Sequence, residues 1–123
     1  MAREIENEMA YVNAWVKAFH PAALNYGRMR VGKPRAGDEL TGVTRGFPDK
    51  ILIENDTVLI IEAKIVPTTS AVGQLEFYVK QFPVTPELYF ARNLPIKGII
   101  LTTMENQTVR LFAEDKGFEY VVF

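Results

Sequence analysis

Two acidic residues and one lysine stand where a predicted β-hairpin would bring them together. Asp49 precedes the apolar run 51–53, and Glu62 and Lys64 end a second apolar run, 57–61. An Asn-Asp pair between the runs indicates a tight hairpin turn. Because side chains alternate along a strand, Glu62 and Lys64 should share one face of the sheet. Pairing of the two strands would then bring Asp49 towards the same end.

Such a set of side chains has a chemical use in phosphodiester hydrolysis. Mg²⁺ and Mn²⁺ take oxygen ligands, which Asp49, Glu62 and the backbone carbonyl of Ala63 can supply. A bound ion would polarise a phosphoryl oxygen and lower the pKa of a water molecule. Lys64 could orient that water or neutralise the phosphate. The alternative is an exposed hairpin end that carries an ordinary Glu-Lys pair.

The spacing of these residues resembles that of a known enzyme superfamily. Pro48-Asp49, twelve intervening residues and then Glu62-Ala63-Lys64 resemble the motif of the PD-(D/E)XK nucleases. The resemblance implies a metal-dependent DNA-cleaving site, with Asp49 and Glu62 as metal ligands and Lys64 as a catalytic helper. It also implies a restriction-endonuclease-like core with the element order α-β-β-β-α-β.

Two further residues resemble a motif of the RecB-like branch of that superfamily. Gln74 and Tyr78 match its Gln-x-x-x-Tyr pattern and follow the Glu-x-Lys as they do there. On a helix, positions three and four apart are neighbours, so both side chains belong to one polar stripe. The resemblance implies that they hold the nucleic acid strand near the metal. The alternative is a solvent-facing glutamine and a half-buried tyrosine.

Two residues near the N-terminus are candidate additional metal ligands. At about 100° per residue, Glu8 falls beside Val12 on the flank of an apolar helix stripe. An acid in that position needs a partner, so it is either a further metal ligand near Glu62 or a side chain that extends outwards to solvent. His20 is the only histidine. Some branches of the superfamily use an upstream histidine as a ligand, but its place at a helix end favours a structural role.

Basic residues concentrate just before Asp49. Residues 28–50 contain six lysines and arginines against three acids, although the whole chain has a net charge of −1. Arg35 and Arg45 belong to this group and are candidate contacts to a DNA backbone. They lie within a glycine-containing loop, 34–46, that is predicted to lead into the site. The alternative is a basic but merely solvated loop.

Composition limits the classes of function. The chain has 123 residues, 48% of them apolar, and is expected to form one domain over residues 1–123. It contains no cysteine, which excludes disulfides, zinc-thiolate sites, iron–sulfur clusters and cysteine nucleophiles. No apolar run approaches the roughly 20 residues of a membrane span, and the N-terminus does not resemble a signal peptide. A cytoplasmic protein is therefore expected.

Hydrophobic periodicity predicts an α/β fold with a mixed central sheet flanked by helices. The predicted elements are a helix over Arg3–Phe19, a strand over 23–33, the hairpin Lys50–Lys64, a helix capped by Thr69 or Ser70 and running to about Phe82, a short helix from Pro86, a strand over Lys97–Met104, a helix over Asn106–Lys116 and a strand over Phe118–Phe123.

These features favour a Mg²⁺- or Mn²⁺-dependent DNA nuclease of RecB-like type, which would often act on DNA ends. A Holliday-junction-resolvase-type endonuclease is an alternative, since the small size and the Asp–Glu spacing resemble the archaeal enzymes. A non-catalytic nucleic-acid-binding module with the same fold is another. A homodimer could form through the apolar strand Phe118–Phe123.

Overall fold

A five-stranded mixed sheet with helices on both faces forms the described part of the chain, as predicted. The computed structural model describes residues 2–35 and 45–123, with side chains from residue 7 onwards. The middle of the predicted loop 34–46 therefore lies outside the described residues. The elements, in chain order, are α1 (Ala2–Phe19), β1 (Leu24–Gly27), β2 (Lys50–Glu54), β3 (Thr57–Lys64), α2 (Thr69–Gln81), the 3₁₀ helices Phe82–Val84 and Pro86–Ala91, β4 (Ile96–Thr102), α3 (Gln107–Asp115) and β5 (Glu119–Val122).

The predicted hairpin is confirmed and fixes the register of β2 on β3. Asn55 and Asp56 both have positive φ, at 52° and 59°, as a two-residue hairpin turn requires. Ile51 pairs with Ile60, and Glu54 pairs with Thr57. The turn thus places the start of β2 beside the end of β3, where the candidate acids lie.

The sheet order is β1-β2-β3-β4-β5. β1 is antiparallel to β2, whereas β3, β4 and β5 run parallel to one another. Parallel neighbours need a crossover, and α2 and α3 supply the two crossovers. The carboxyl end of β3 consequently lies at the same edge of the sheet as those of β4 and β5.

Each face of the sheet has its own hydrophobic core. α1 covers one face, where Val12, Trp15 and Val16 pack against Ile61 and Ala63. α2 and α3 cover the other face, which carries alternate strand residues, among them Ile51, Ile60 and Ile100. Ala63 is fully buried, so Glu62 and Lys64 point to the opposite, α2 side.

The apolar stripe of α1 is narrower than its periodicity predicts. Val12 and Val16 are buried as expected, but Met9 and Phe19 are 39% and 60% exposed. Trp15 takes the remaining place in the core at 4% exposure. The helix therefore packs on the sheet through its middle turns.

Two predicted boundaries were wrong. The strand predicted over 23–33 ends at Gly27, whose φ of 70° turns the chain out of the strand, and Val31 forms only an isolated bridge to Gly46. The N-cap of α2 is Thr68 instead of Thr69 or Ser70, and its side chain accepts a hydrogen bond from the Ala71 N–H. The short helix predicted from Pro86 is present as the 3₁₀ helix Pro86–Ala91. Among the described helices, none is long and apolar enough to span a membrane.

Candidate active site

Asp49 lies at the start of β2, where the backbone of β3 holds it in place. Its N–H donates to the Ile61 carbonyl at 3.1 Å, and its Oδ2 accepts from the Ala63 N–H at 2.8 Å. Because Ile61 and Ala63 are two residues apart, their backbone groups face the same side of the strand. The Ala63 carbonyl therefore faces the edge that Asp49 occupies.

Glu62 is a buried acid beside Asp49, and the two carboxyl groups are hydrogen-bonded. Burial raises the pKa of Glu62 to about 9, and the charge of Asp49 and the hydrogen bond with it act in the same direction. Lys64 opposes this shift, and Glu8 adds to it. At neutral pH the Glu62 carboxyl of the metal-free site therefore keeps its proton.

The two acids open into a cleft of about 320 Å³. Its lining consists of Glu8, Arg28, Phe47, Asp49, Glu62, Lys64, Gln74 and Tyr78. Six of these eight residues are those that the sequence singled out for chemistry or substrate contact. They come from α1, from both strands of the hairpin and from α2, so the tertiary fold assembles them.

Glu8 reaches the cleft from α1, as its position on the helix wheel suggests. Its Oε2 accepts a hydrogen bond from the Ile65 N–H at 3.4 Å, just beyond the end of β3. It is close enough to Glu62 for its charge to raise the pKa of that acid. Glu8 can therefore add a carboxylate oxygen at the rim of the site.

Tyr78 and Gln74 face the cleft from successive turns of α2. Burial and the nearby acids raise the pKa of Tyr78 to about 12, so its phenol stays neutral at working pH. A Cβ on Gly46 would lie 2.5 Å from Tyr78 Cδ1, so the tyrosine fits only against a glycine.

Arg28 and Phe47 are cleft residues that sequence reasoning missed. Arg28 Nε lies 3.9 Å from Asp49 Oδ1, and its guanidinium carbon lies 4.1 Å from the centre of the Phe47 ring. The guanidinium of Arg30 lies over the same ring at 4.5 Å. The sequence offers two signals for these residues. Arg28 belongs to the basic cluster over residues 28–50, and Phe47 lies two residues before Asp49.

The two arginines predicted to contact DNA do not line the cleft. The Arg45 side chain is only 8% exposed and forms an ion pair with Glu87 at 2.6 Å. Its Nε also donates to the Gly32 carbonyl at 2.9 Å. These contacts give Arg45 a structural role that sequence could not indicate, because Glu87 is 42 positions away. Arg35 is exposed and borders the segment that the structure does not describe.

His20 does not line the cleft either. Its Nδ1 lies 2.8 Å from Glu54 Oε1, and its ring lies 4.8 Å from that of Trp15. The imidazole thus links the end of α1 to the end of β2, on the other side of the hairpin from the acids. This is the structural role that its place before a proline favours.

The donor set fits a divalent cation that keeps part of its water shell. Within residues 7–35 and 45–123, no three Asp, Glu, His or Cys side chains are grouped tightly enough to enclose an ion by themselves. Asp49 and Glu62 offer two carboxylates, and the Ala63 carbonyl faces the same edge. Mg²⁺ is commonly bound through one or two carboxylates together with waters and substrate phosphate. A cation between Asp49 and Glu62 would displace the proton of Glu62.

Comparison with known proteins places this fold among nucleases. No family model matches the sequence, and no curated protein matches it. Similar solved structures are a repair endonuclease from Pyrococcus abyssi (21% identity, TM-score 0.57, 96% of this chain and 46% of that chain), EndoMS in apo form (18%, 0.54, 94% and 45%) and an EndoMS–dsDNA complex (20%, 0.56, 96% and 44%).

This chain spans less than half the length of those proteins. At identities of 18–21%, the likeness shows a shared fold and nothing further. The structural likeness nevertheless extends over nearly the whole of this chain. The protein therefore has the restriction-endonuclease-like fold seen in those repair endonucleases.

Proposed function

We propose that the protein is a Mg²⁺- or Mn²⁺-dependent DNA nuclease of RecB-like type that hydrolyses phosphodiester bonds. One observation carries the proposal: the hydrogen-bonded pair Asp49–Glu62 and Lys64 lie together in an open cleft at the end of the hairpin. The fold, shared with repair endonucleases, is consistent with it. The order of Asp49, Glu62 and Lys64 along the chain also agrees with the motif that they resemble.

In this proposal Asp49 and Glu62 hold the cation, with the Ala63 carbonyl and Glu8 as further oxygen donors. The cation, when bound, supplies Lewis acidity at a phosphoryl oxygen. Glu62 must release its proton before it can serve as a ligand, so the site is best loaded at neutral to alkaline pH. Burial of Glu62 lowers the local dielectric constant and so strengthens the attraction of the ionised pair for a cation.

Lys64 serves the reacting groups from the same face as Glu62. Its ammonium can hold the attacking water or a non-bridging phosphate oxygen while water adds to phosphorus and one ester bond breaks. The neutral Tyr78 phenol and the Gln74 amide can donate hydrogen bonds to the DNA strand that enters the cleft. Their position in the lining supports the RecB-like type, in which they hold the strand near the metal.

The test is cleavage of supercoiled plasmid, linear duplex, single strand and a four-way junction, each with Mg²⁺, Mn²⁺ or EDTA. The variants Asp49→Asn and Lys64→Ala should each lose roughly 100-fold or more of the wild-type rate, the scale of one lost catalytic group. Asp115→Asn is the matched control, because Asp115 is exposed at the end of α3 and does not line the cleft.

Each substrate answers a different question. Cleavage of linear but not circular DNA would favour the end-acting RecB-like type, and selective cleavage of the junction would favour the resolvase type. Equal rates for wild type and Asp49→Asn would contradict the proposed site. Salt-dependent DNA binding without cleavage in any metal would favour the non-catalytic binding module.

A further inference from the structure

We propose that Arg28, stacked on Phe47, binds a non-bridging phosphate oxygen of the DNA next to the carboxylate pair. This inference rests on the proposed function and adds to it a residue that binds the DNA substrate. Arg28 lines the cleft together with Asp49 and Glu62, and its side chain is 31% exposed, so a ligand can reach it.

The stacked geometry leaves the donor edge of the guanidinium available. The guanidinium carbon lies 4.1 Å from the Phe47 ring centre, a distance typical of a cation–π contact. A planar guanidinium that lies over a ring keeps its N–H groups at its rim, where they can form the two parallel bonds that phosphate accepts. Phe47 thus orients Arg28 without using its hydrogen bonds.

The contact between Arg28 and Asp49 is an ion pair without a hydrogen bond. Nε lies 3.9 Å from Asp49 Oδ1, beyond the range of an N–H···O bond. Asp49 Oδ2 already accepts the Ala63 N–H at 2.8 Å. A cation bound to Asp49 would neutralise its carboxylate and weaken the attraction between Asp49 and Arg28. The guanidinium could then donate hydrogen bonds to an incoming anion.

The charges that line the cleft favour one phosphate once a cation is present. Glu8, Asp49 and Glu62, if all ionised, outnumber Lys64 and Arg28 by one charge. A divalent cation reverses this balance to one positive charge, which a single phosphodiester group cancels. Arg30, whose guanidinium lies 4.5 Å from the same Phe47 ring, adds positive potential at the Arg28 side of the cleft.

Local structure fixes the direction in which Arg28 leaves β1. Gly27 has a φ of 70°, and its N–H donates to Asn25 Oδ1 at 2.8 Å. The register of β1 on β2 shifts between these two residues. The bend turns the chain out of the sheet just before Arg28. The backbone conformation at Gly27 thus directs the Arg28 side chain towards the cleft.

The experiment compares Arg28→Ala, Arg28→Lys and Phe47→Leu with the matched control Arg92→Ala. The Arg92 guanidinium also lies over an aromatic ring, 4.0 Å from the centre of Tyr89, but Arg92 does not line the cleft. Steady-state cleavage gives kcat and KM for each protein. Fluorescence anisotropy with a short duplex, in a Lys64→Ala background with Mg²⁺, gives affinity over a salt series, and thermal melts confirm folding.

We expect Arg28→Ala to weaken DNA binding about tenfold and to lower the salt slope by about one phosphate contact. Because the contact exists in both the bound substrate and the transition state, KM should rise while kcat changes little. Arg28→Lys should restore the salt slope but only part of the affinity, since lysine is a point charge. Phe47→Leu should weaken binding with an unchanged slope, and Arg92→Ala should match wild type.

Unchanged affinity and slope in a folded Arg28→Ala protein would overturn the inference. An equal loss in Arg92→Ala would also overturn it, because the effect would then be general electrostatic attraction. If Arg28→Ala fails to fold, an unaltered affinity in Arg28→Lys and Phe47→Leu would have the same consequence. A wild type that binds DNA but never cleaves it would contradict the proposed function alone, since the salt slope still tests Arg28.

Discussion

Glu62 lowers the stability of the metal-free protein at neutral pH, and it also offers a carboxylate that can bind a cation. The folded protein keeps its proton up to about pH 9, whereas an unfolded chain releases it near the ordinary value of 4.5. The native state therefore binds more protons than the unfolded state between these two values, and stability falls as pH rises through that window. A cation that displaces the proton would remove this penalty.

The first prediction follows from that linkage. In EDTA, Glu62→Gln should be more stable than wild type, and the difference should grow between pH 5 and pH 8 to roughly 1 kcal/mol or more, which is about 4 °C in Tm. The same variant should lose DNA cleavage. Thermal melts at pH 5, 6.5 and 8 measure the effect, with Asp115→Asn as control. A difference that does not change with pH would contradict the buried, protonated carboxyl.

The second prediction separates a structural Arg45 from a DNA-binding one. Arg45→Ala leaves the Gly32 carbonyl and Glu87 without their charged donor, so we expect a loss of roughly 2–3 kcal/mol in the free energy of unfolding. Well below the Tm, its DNA affinity should stay within about twofold of wild type. Urea unfolding and anisotropy provide the two measurements.

Arg35→Ala is the matched control, because the Arg35 side chain is exposed and its loss should change stability by no more than about 0.5 kcal/mol. Full stability together with weak DNA binding in Arg45→Ala would instead favour the prediction from the basic cluster that Arg45 contacts DNA.

At the scale of elements, the hairpin and the bridge beside it determine the shape of the cleft. The two-residue turn aligns Asp49 with Glu62, and the bridge between Val31 and Gly46 returns the chain to the cleft before Phe47. Gly46 N–H donates to the Val31 carbonyl at 3.0 Å, and Val31 N–H donates back at 2.9 Å. This two-bond bridge holds the backbone of Gly46 against Tyr78.

The third prediction tests that contact. Gly46→Ala would place its Cβ 2.5 Å from Tyr78 Cδ1 and 3.0 Å from Val31 Cγ2, so the ring must move. We expect a loss of about 1–3 kcal/mol in stability and a clear drop in DNA affinity. Gly73→Ala on α2 has no atom within 4 Å of its Cβ and should gain up to about 1 kcal/mol. Equal behaviour of the two variants in urea unfolding would contradict the packing argument.

At the scale of the whole molecule, the site lies where elements distant in sequence meet. Glu8 bonds the backbone at Ile65, which is 57 residues away, and Asp49 bonds Ala63 across the hairpin. Ligand binding at such a place should stabilise the entire fold, because an ion that binds only the native state shifts the unfolding equilibrium.

The fourth prediction concerns that coupling. Mg²⁺ or Mn²⁺ at about 100 times its Kd should stabilise wild type by about 2.7 kcal/mol. At one fixed ion concentration the gain should be larger at pH 8 than at pH 6, since the cation competes with the Glu62 proton and its Kd falls as pH rises. Asp49→Asn should lose most of the gain, and Asp115→Asn should keep it. Equal shifts of Tm in Asp49→Asn and wild type would place the ion elsewhere.

Much of the fold was predictable because its determinants are local. The Asn55-Asp56 turn, the alternation along β3 and the apolar periodicity of α2 each depend on neighbours in sequence. The predicted boundaries were wrong where a single backbone angle or a single capping residue sets the end of an element. The φ of Gly27 ended β1 early, and Thr68 rather than Thr69 or Ser70 took the N-cap.

The sequence alone determined that Glu62 and Lys64 share a face and that a hairpin brings Asp49 to the same end, because strand alternation and turn chemistry act over a few residues. Only the tertiary structure decided which of the arginines faces the acids. Arg28 enters the cleft and Arg45 pairs with Glu87, and this choice depends on long-range packing that no local pattern encodes.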